Sequence, residues 1–401
     1  LHQYFRKPSM NGGIRSYEFA KRLAESGHDV TIVTSDNETV FKGWKIERLD
    51  GFEIHWVSVE YNNSYGFIRR LWAFFKFLLL SSIHICKLKS DKLYVTSTPL
   101  TVAIPALFYK LFKRKPFIFE VRDVWPEVPV ALGVIKNKLL IKLAYALEAI
   151  TYKNAAHIVA LSPDMKKSIL KRCGETSVSA IPNAADCHLF NLSLAAGDPF
   201  IEQLKTIKQK HKKIVFYTGA FGLVNNLRSL IKLSSFSNGD IGFVIIGEGK
   251  EEKDLKKYAT ELTVLEHTLY FLPSVNKNQL SAVHSIFDMA TSTVLPIEEL
   301  YANSANKVFD AFAAGSPLLI NHGGWIKTLI EGVGCGLVIN NEPLSEDYLL
   351  LKNFIFDEVR YENATAASLE LGKTKFNREY LFTKLLGVIA PMDEKSHEKN
   401  I

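Results

Sequence analysis

Short apolar runs alternate with helical patterns along the whole chain, and this alternation constrains the fold more than any other feature. Runs at His28–Ser35, Phe52–Glu60, Lys92–Pro99, Phe117–Trp125 and His157–Pro163 have strand length and β-branched or aromatic content, and helix-period stretches fill most of the gaps. This is the signature of βαβ units in a parallel sheet. After Asn183 the pattern loosens into AADCHLFNLSLAAGDPF and a lysine-rich stretch, Lys205–Lys213. It restarts at Ile214–Thr218, Gly242–Ile246, Thr268–Leu272, Met289–Val294, Pro317–Ile320 and Gly336–Ile339. The length of 401 residues suits two domains at roughly 100–200 residues each. The expected organisation is an α/β domain over 1–185, a linker over 186–212 and a second α/β domain over 213–376. A helix over 377–391, from the pattern Asn377–Ile389, packs back on the first domain, and 392–401 is a charged tail. Two doubly wound domains of this kind place ligands at the carboxyl ends of their strands, and two such crevices are expected to form one cleft.

Composition narrows the partners. With 47% hydrophobic and 23% charged residues the chain reads as globular. Lys+Arg 49 against Asp+Glu 42 gives +7, too thin an excess for a nucleic-acid partner but suited to a phosphate-rich ligand or an anionic membrane. Cys86, Cys173, Cys187 and Cys335 are scattered with no Cys-x-x-Cys pair, so neither a metal site nor a disulfide framework is expected, and the compartment reads as reducing. No signal peptide is evident, and the chain opens at Leu1 inside an expected strand, Leu1–Phe5, so further residues are expected to precede it in the natural protein.

The segment Leu71–Cys86, LWAFFKFLLLSSIHIC, is strongly apolar but shorter than the ~20 residues of a spanning helix, and it contains Lys76 and His84. Arg69, Arg70, Lys87, Lys89 and Lys92 flank it. A second basic stretch, Lys110, Lys113, Arg114 and Lys115, follows the apolar run Val102–Phe112. Two readings stand: a core helix between strands, or an amphipathic element lying on anionic lipid. Both hold if one face is core and the other meets the membrane, in which case Arg69, Arg70, Trp72, Lys76 and Lys87 are the membrane-facing candidates.

Four stretches carry chemistry. Gly12-Gly13 lies at a strand-to-helix turn, where glycine lets the backbone approach a phosphate or sugar hydroxyl, with Arg15 close behind; a tight turn is the plainer explanation. YTGAFG (Tyr217–Gly222) and IIGEGK (Ile245–Lys250) each follow a strand directly. Gly247-x-Gly249 lacks the third glycine of a dinucleotide fingerprint, and Gly372-Lys373-Thr374 has Ala367 where a phosphate loop needs glycine. NAD chemistry and ATP hydrolysis are therefore disfavoured. In NSANKVFDAFAAG, Lys307 and Asp310 share one face near a helix amino end, where they either meet a diphosphate and a ribose or form a surface ion pair. In FIFEVRDVWPE, Glu120, Arg122 and Asp123 gather at a strand's carboxyl end, to orient an acceptor hydroxyl or as a local ion pair.

Taken in order, LHQYF, GGIRSYEFAKRLAESGHDVTIVTS, FIFEVRDVWPE, IVALSPDM, IPNAAD, YTGAFG, IIGEGK, NKVFDAFAAGSPLLI and GCGLVI resemble a bacterial glycosyltransferase of family 4 with the GT-B fold, two Rossmann-like domains facing a central cleft. Within that family the chain is most similar to the fucosamine-transferase-like branch of O-antigen and capsule assembly. The resemblance covers nearly the whole chain. It implies retaining transfer of a sugar, of N-acetylfucosamine type, from a nucleotide diphosphate-sugar, by family habit UDP-linked. It implies no cofactor or metal, a polyprenyl-diphosphate-linked saccharide as acceptor, and a peripheral place on the cytoplasmic face of the membrane. Gly12, Gly13, Gly219, Gly222, Gly247 and Gly249 match the donor-binding loops, Asp310 the ribose-binding second acid of the family's Glu-x7-Glu pair, and Lys307 the lysine of a Ser-Lys variant. Two departures stand out. Ala302 replaces the first glutamate, with Glu298 and Glu299 only nearby, and the family's basic pair after the first glycine gives way to a region holding Asn225 and Asn226, with Arg228 beyond. Phosphate charge is then left to Lys307, Arg15 and Arg122, and the expected catalytic residues are Asp123, Arg122 and Lys307. A nucleotide-sugar 2-epimerase of the same architecture and a non-catalytic partner of another transferase are the competing readings.

Overall fold

The computed structural model describes residues 1–10, 12–37, 39–59, 67–184, 186–190 and 197–389, with side chains from Trp72 onward in the helix that begins at Phe67. The chain divides into two compact units, the first comprising Leu1–Pro182 with the residues from Phe382 onward, the second Asn183–Leu381.

In the first unit, β1 (Thr31–Asp36), β2 (Trp44–Leu49) and β3 (Phe52–Ser58) form one sheet in the order β1-β3-β2. β1 and β3 run parallel, and β2 is an antiparallel edge strand. The sequence reading does not mark β2. Its signal is the Asp50-Gly51 dipeptide, whose φ values of 46 and 84 suit the tight turn of a β-hairpin. β4 (Leu93–Thr96), β5 (Phe117–Val121), β6 (His157–Ala160) and β7 (Val178–Ala180) form a parallel sheet in chain order. Residues 1–3 lie hydrogen-bonded between the two sheets: His2 N–H donates to Val33, Gln3 accepts from Ser35, and Leu1 accepts from Thr96. The expected strand at Leu1–Phe5 is thus a short connecting segment that turns away after Gln3.

Helix Phe67–Lys87 has one buried side and one exposed side. Ala73, Phe77, Ser81 and Ile85, four residues apart, are buried, while Trp72, Phe75, Leu79 and Ile83 are exposed on the other side. Among the described residues no helix is long and apolar enough to cross a membrane.

The second unit holds a six-stranded, wholly parallel sheet of β8 (Lys213–Thr218), β9 (Ile241–Ile246), β10 (Leu269–Leu272), β11 (Met289–Ser292), β12 (Leu318–Ile320) and β13 (Gly336–Val338). Its order, β10-β9-β8-β11-β12-β13, is the doubly wound arrangement that reverses between β8 and β11. Every residue of β9 is buried, which is why IGFVII reads as a continuous apolar run without alternation. Within the stretch expected to be a linker, Pro199–Lys210 is a helix. Asp198 caps it by accepting from Phe200 N–H at 2.8 Å, and Ile201, Leu204 and Ile207 enter the core beside Phe216 and Val244. Charged residues on its outer face mask that three-to-four-residue apolar spacing.

Gly372, set aside above as a phosphate loop, sits in helix Glu358–Lys373, where a Cβ would lie 2.6 Å from the Phe312 carbonyl oxygen. Its glycine serves the close approach of two helices. The helix Arg378–Ile389 contributes its later turns to the first unit, with the Phe382 ring 6.4 Å from Phe19.

Candidate active site

Doubly wound sheets bind ligands where the strand order reverses, and here β8 and β11 diverge at that point. The loop after β8 carries Gly219 and Gly222; the loop after β9 carries Gly247 and Gly249. The two loops interlock through the backbone: Gly219 N–H donates to Ile246 at 3.0 Å, Phe221 N–H to Glu248 at 2.8 Å and Glu251 N–H to Phe221 at 3.2 Å. A Cβ on Gly247, at φ +148, would stand 1.9 Å from the Gly219 oxygen, and one on Gly249 would stand 2.4 Å from the Phe221 oxygen. These glycines are therefore demanded first by the contact between loops. Gly222 meets nothing closer than 3.9 Å.

Lys307 rises into this place from the first turn of helix Asn306–Ala314. Its Nζ lies 3.0 Å from Tyr217 Oη and 3.3 Å from Asn225 Oδ1, and 4.1 Å from the centre of the Tyr217 ring. A Cβ on Gly219 would come within 3.4 Å of it. No carboxylate is among these partners, and loss of water around the ammonium lowers the Lys307 pKa to about 7, although the residue keeps part of its surface in solvent. Burial pushes the Tyr217 phenol up, so its hydroxyl stays neutral and donates to the Ala220 carbonyl at 2.9 Å. Lys307 thus reaches Asn225, in the loop region after β8, from another helix. Arg228 lies instead over the Tyr258 ring.

Asp310, one turn further along the same buried helix face, is held by Lys277 Nζ at 2.9 and 3.2 Å. Lys277 opens helix Lys277–Ile286, which Asn276 and Gln279 start with reciprocal capping bonds. The sequence reading misses Lys277, whose contact with Asp310 crosses 33 positions. At Ala302 the structure offers no acid: Glu298 and Glu299 are exposed on a short 3₁₀ turn, and the adjacent Tyr301 stacks on His322 with ring centres 5.7 Å apart.

In the first unit the expected charge cluster separates. Glu120 points into the domain, where its carboxylate receives Arg15 Nε at 2.8 Å and the Tyr94 hydroxyl at 2.6 Å. Burial pushes its pKa up, but Arg15 and then Arg122 outweigh that and hold it below the usual carboxylate range. Arg15 also donates to the carbonyls of Pro182 and Ile181. A guanidinium with its donors so committed and almost no surface is a structural anchor, which corrects its placing among the nucleotide-sugar ligands. Arg122 is half-buried beside His2, 3.3 Å away. Asp123 is exposed beyond the end of β5 and accepts from Thr98 Oγ1 at 3.1 Å, beyond the end of β4. Thr98 has φ +87, an uncommon conformation for a β-branched residue.

Gly12, at φ +128, is exposed on the loop before helix Arg15–Glu25, and Gly13 follows it. Of the membrane-facing candidates, Trp72, Lys76 and Lys87 are exposed; the side chains of Arg69 and Arg70 lie outside the described residues. Among the described residues no group of three or more His, Cys, Asp or Glu side chains is placed to hold a metal ion.

Two family models match the chain in succession, Glycosyltransferase Family 4 over residues 12–189 and Glycosyl transferases group 1 over residues 201–351. No curated protein matches the sequence. Among solved structures the fold is similar to sucrose-phosphate synthase from Thermosynechococcus elongatus, with TM-score 0.76 at 13% identity over 97% of both chains. It is also similar to WaaG, a glycosyltransferase involved in lipopolysaccharide biosynthesis, with TM-score 0.69 at 16% identity over 98% of both chains. Anabaena HepE in complex with UDP and glucose gives TM-score 0.69 at 13% identity, over 97% of this chain and 98% of that one. These likenesses define the α/β GT-B fold. The chain belongs to the family 4 glycosyltransferases.

Proposed function

We propose that this glycosyltransferase moves a sugar, with retention of configuration, from a UDP-linked donor to a saccharide carried on polyprenyl diphosphate in surface polysaccharide assembly, working at the cytoplasmic face of the membrane. The observation that carries the donor half is Lys307, an ammonium enclosed by neutral Tyr217 and Asn225 at the strand-order reversal, with no carboxylate among these partners. A site that keeps a cation partly desolvated and without an anionic neighbour is prepared for an anion. The UDP complex of HepE supports the nucleotide, and the resemblance of NSANKVFDAFAAG to the fucosamine-transferase branch supports an N-acetylfucosamine-type sugar.

The chemistry follows from that charge. The bond between the anomeric carbon and the diphosphate oxygen breaks, negative charge grows on the leaving phosphate, and the Lys307 ammonium meets it. Helix Asn306–Ala314 begins with no side-chain cap, so its first-turn N–H groups add positive potential on the same side. Asp310, oriented by Lys277, accepts from the ribose hydroxyls. Gly12, Gly13 and Gly222 allow close backbone approach to substrate, and Gly219, Gly247 and Gly249 give the donor loops their shape. The acceptor hydroxyl attacks from the face the diphosphate leaves, and its proton passes to the departing phosphate oxygen. No protein nucleophile takes part. Asp123, with Thr98 and Arg122 near it, orients the acceptor.

A panel of nucleotide sugars offered with a polyprenyl-diphosphate-linked acceptor, with products read by mass spectrometry, tests this reading. Elongated acceptor and released UDP are expected. An epimerised nucleotide sugar, or UDP binding with no turnover across the panel, overturns it.

A further inference from the structure

We propose that three helices of the first unit form one docking face for an anionic phospholipid bilayer. The inference deepens the membrane reading above and rests on it for the acceptor alone; the surface itself is argued from its side chains.

Helix Phe67–Lys87 packs along helix Ala103–Lys113, which packs in turn against helix Lys138–Asn154. Lys110 Nζ ties the second to the end of the third by donating to the Asn154 carbonyl at 2.7 Å. Each helix buries one side and turns large apolar side chains to solvent on the other. The first exposes Trp72, Phe75, Leu79 and Ile83. The second exposes Phe108, Leu111 and Phe112, with Phe108 and Phe112 stacked at 5.7 Å. The third exposes Leu139, Leu140, Leu143 and Ile150. Trp72 is 65% exposed and Leu143 56%, values foreign to a core. These three helices carry more than half of the exposed large hydrophobics among the described residues. Single exposed apolar residues are ordinary, but a run of them across neighbouring helices marks an interaction site.

The charge pattern selects the partner. The first two helices contain no Asp or Glu, and the only acid of the third, Glu148, is buried and paired with Arg172 at 2.9 Å. Lys76 and Lys87 on the first helix, Lys110 on the second, and Lys138, Lys142 and Lys153 on the third are exposed among the apolar side chains. Apolar side chains of insertion depth interleaved with lysines, without exposed carboxylates, match an anionic lipid headgroup layer over hydrocarbon. A protein partner of ordinary composition would leave most of these ammonium groups facing a mixed surface. The third helix was invisible to the sequence reading because its run LLIKLAYALEAI is apolar on both sides and looks like core.

Sedimentation of the full chain with vesicles tests the face. The protein is expected to bind vesicles of equal parts phosphatidylcholine and phosphatidylglycerol, and to stay free with phosphatidylcholine alone. Lys142→Glu and Leu143→Ser, both on the newly assigned helix, should each lower partitioning by roughly fivefold or more, as should Lys76→Glu. UDP binding in solution is measured on the same preparations, and it should be unchanged because these side chains lie on the outer surface. Failure of wild-type protein to bind anionic vesicles, or binding indifferent to Lys142→Glu and Leu143→Ser, overturns the proposal. So does a concentration-dependent dimer that Leu143→Ser dissolves while vesicle binding persists, which would assign the face to a second copy. Vesicle binding needs no donor or acceptor, so the transferase reading can fail in the donor panel while this surface stands, and the reverse.

Discussion

Lys307 Nζ and Asn225 Oδ1 stand 3.3 Å apart across 82 positions of sequence. The cation of this site is supplied by a helix that follows β11, and the loop after β8 contributes a neutral amide in the region where a basic pair was expected. Tyr217 fixes the arrangement from below, with its ring 4.1 Å from the ammonium.

Because loss of water brings Lys307 to a pKa of about 7, donor capture should depend on pH. Only the ammonium attracts a diphosphate, so kcat/KM for the donor should fall as pH rises above about 7. The bound diphosphate raises the pKa, so kcat should hold to higher pH. Lys307→Arg should remove the fall, and Lys307→Met should lower turnover by roughly 100-fold or more. A flat kcat/KM profile in the wild type from neutral pH upward would sink the assignment.

The same shift has a stability sign. The folded pKa lies below the unfolded value of 10.5, so the unfolded chain holds the extra proton and stability contributed by this group rises with pH between about 7 and 10.5. Lys307→Met should therefore raise the melting temperature most at or below neutral pH, with the gain shrinking as pH approaches 10. Melting curves across that range check it.

Asp310 and Lys277 should behave as one unit. Asp310→Ala and Lys277→Ala are each expected to raise the donor KM several-fold with kcat much less affected, and the double variant should be little worse than Asp310→Ala alone. Fully additive losses would show that Lys277 does not act through Asp310.

Glycine substitutions separate loop packing from ligand approach. Gly247→Ala drives a Cβ into the Gly219 carbonyl and should cost about 2 kcal/mol or more, or displace both loops and abolish UDP binding. Gly222→Ala has open space and should leave stability within about 0.5 kcal/mol, whatever it does to donor affinity. Denaturant midpoints of the two variants give the comparison.

Arg15→Met should remove about 3–5 kcal/mol of folding stability by leaving Glu120 buried without its cation. If that variant instead kept its melting temperature and lost UDP affinity, Arg15 would return to the phosphate-binding set. By contrast, Asp123→Asn should lower acceptor turnover while UDP binding stays as it is, since Asp123 is exposed and accepts from the Thr98 hydroxyl at the rim of the first unit's sheet.

The fold was legible wherever local pattern carries it. The runs Phe117–Trp125 and Gly242–Ile246 announced strands because a parallel sheet buried on both faces needs near-continuous apolar sequence, as in β5 and β9. The edge strand Trp44–Leu49 escaped because none of its residues is buried and half of them are charged. The helix Pro199–Lys210 escaped because its lysines obscured three core residues. Lys307 and Asp310 could be placed on one helix face from their spacing, and the glycine loops after their strands.

The chain's own pattern of residues therefore settled the α/β class and the helix that carries Lys307 and Asp310, since each rests on periodicity within a few turns or one strand; the stretch expected as a linker instead belongs to the second unit, which begins at Asn183. Which charges face one another was decided by tertiary structure alone. Arg15 looked like a phosphate ligand until Glu120, 105 positions away, was found against it, and Lys277 had no visible role until it met Asp310. Electrostatic partners are chosen by distance through space, and in a doubly wound sheet that distance depends on the order of strands, which adjacent residues in the sequence do not encode.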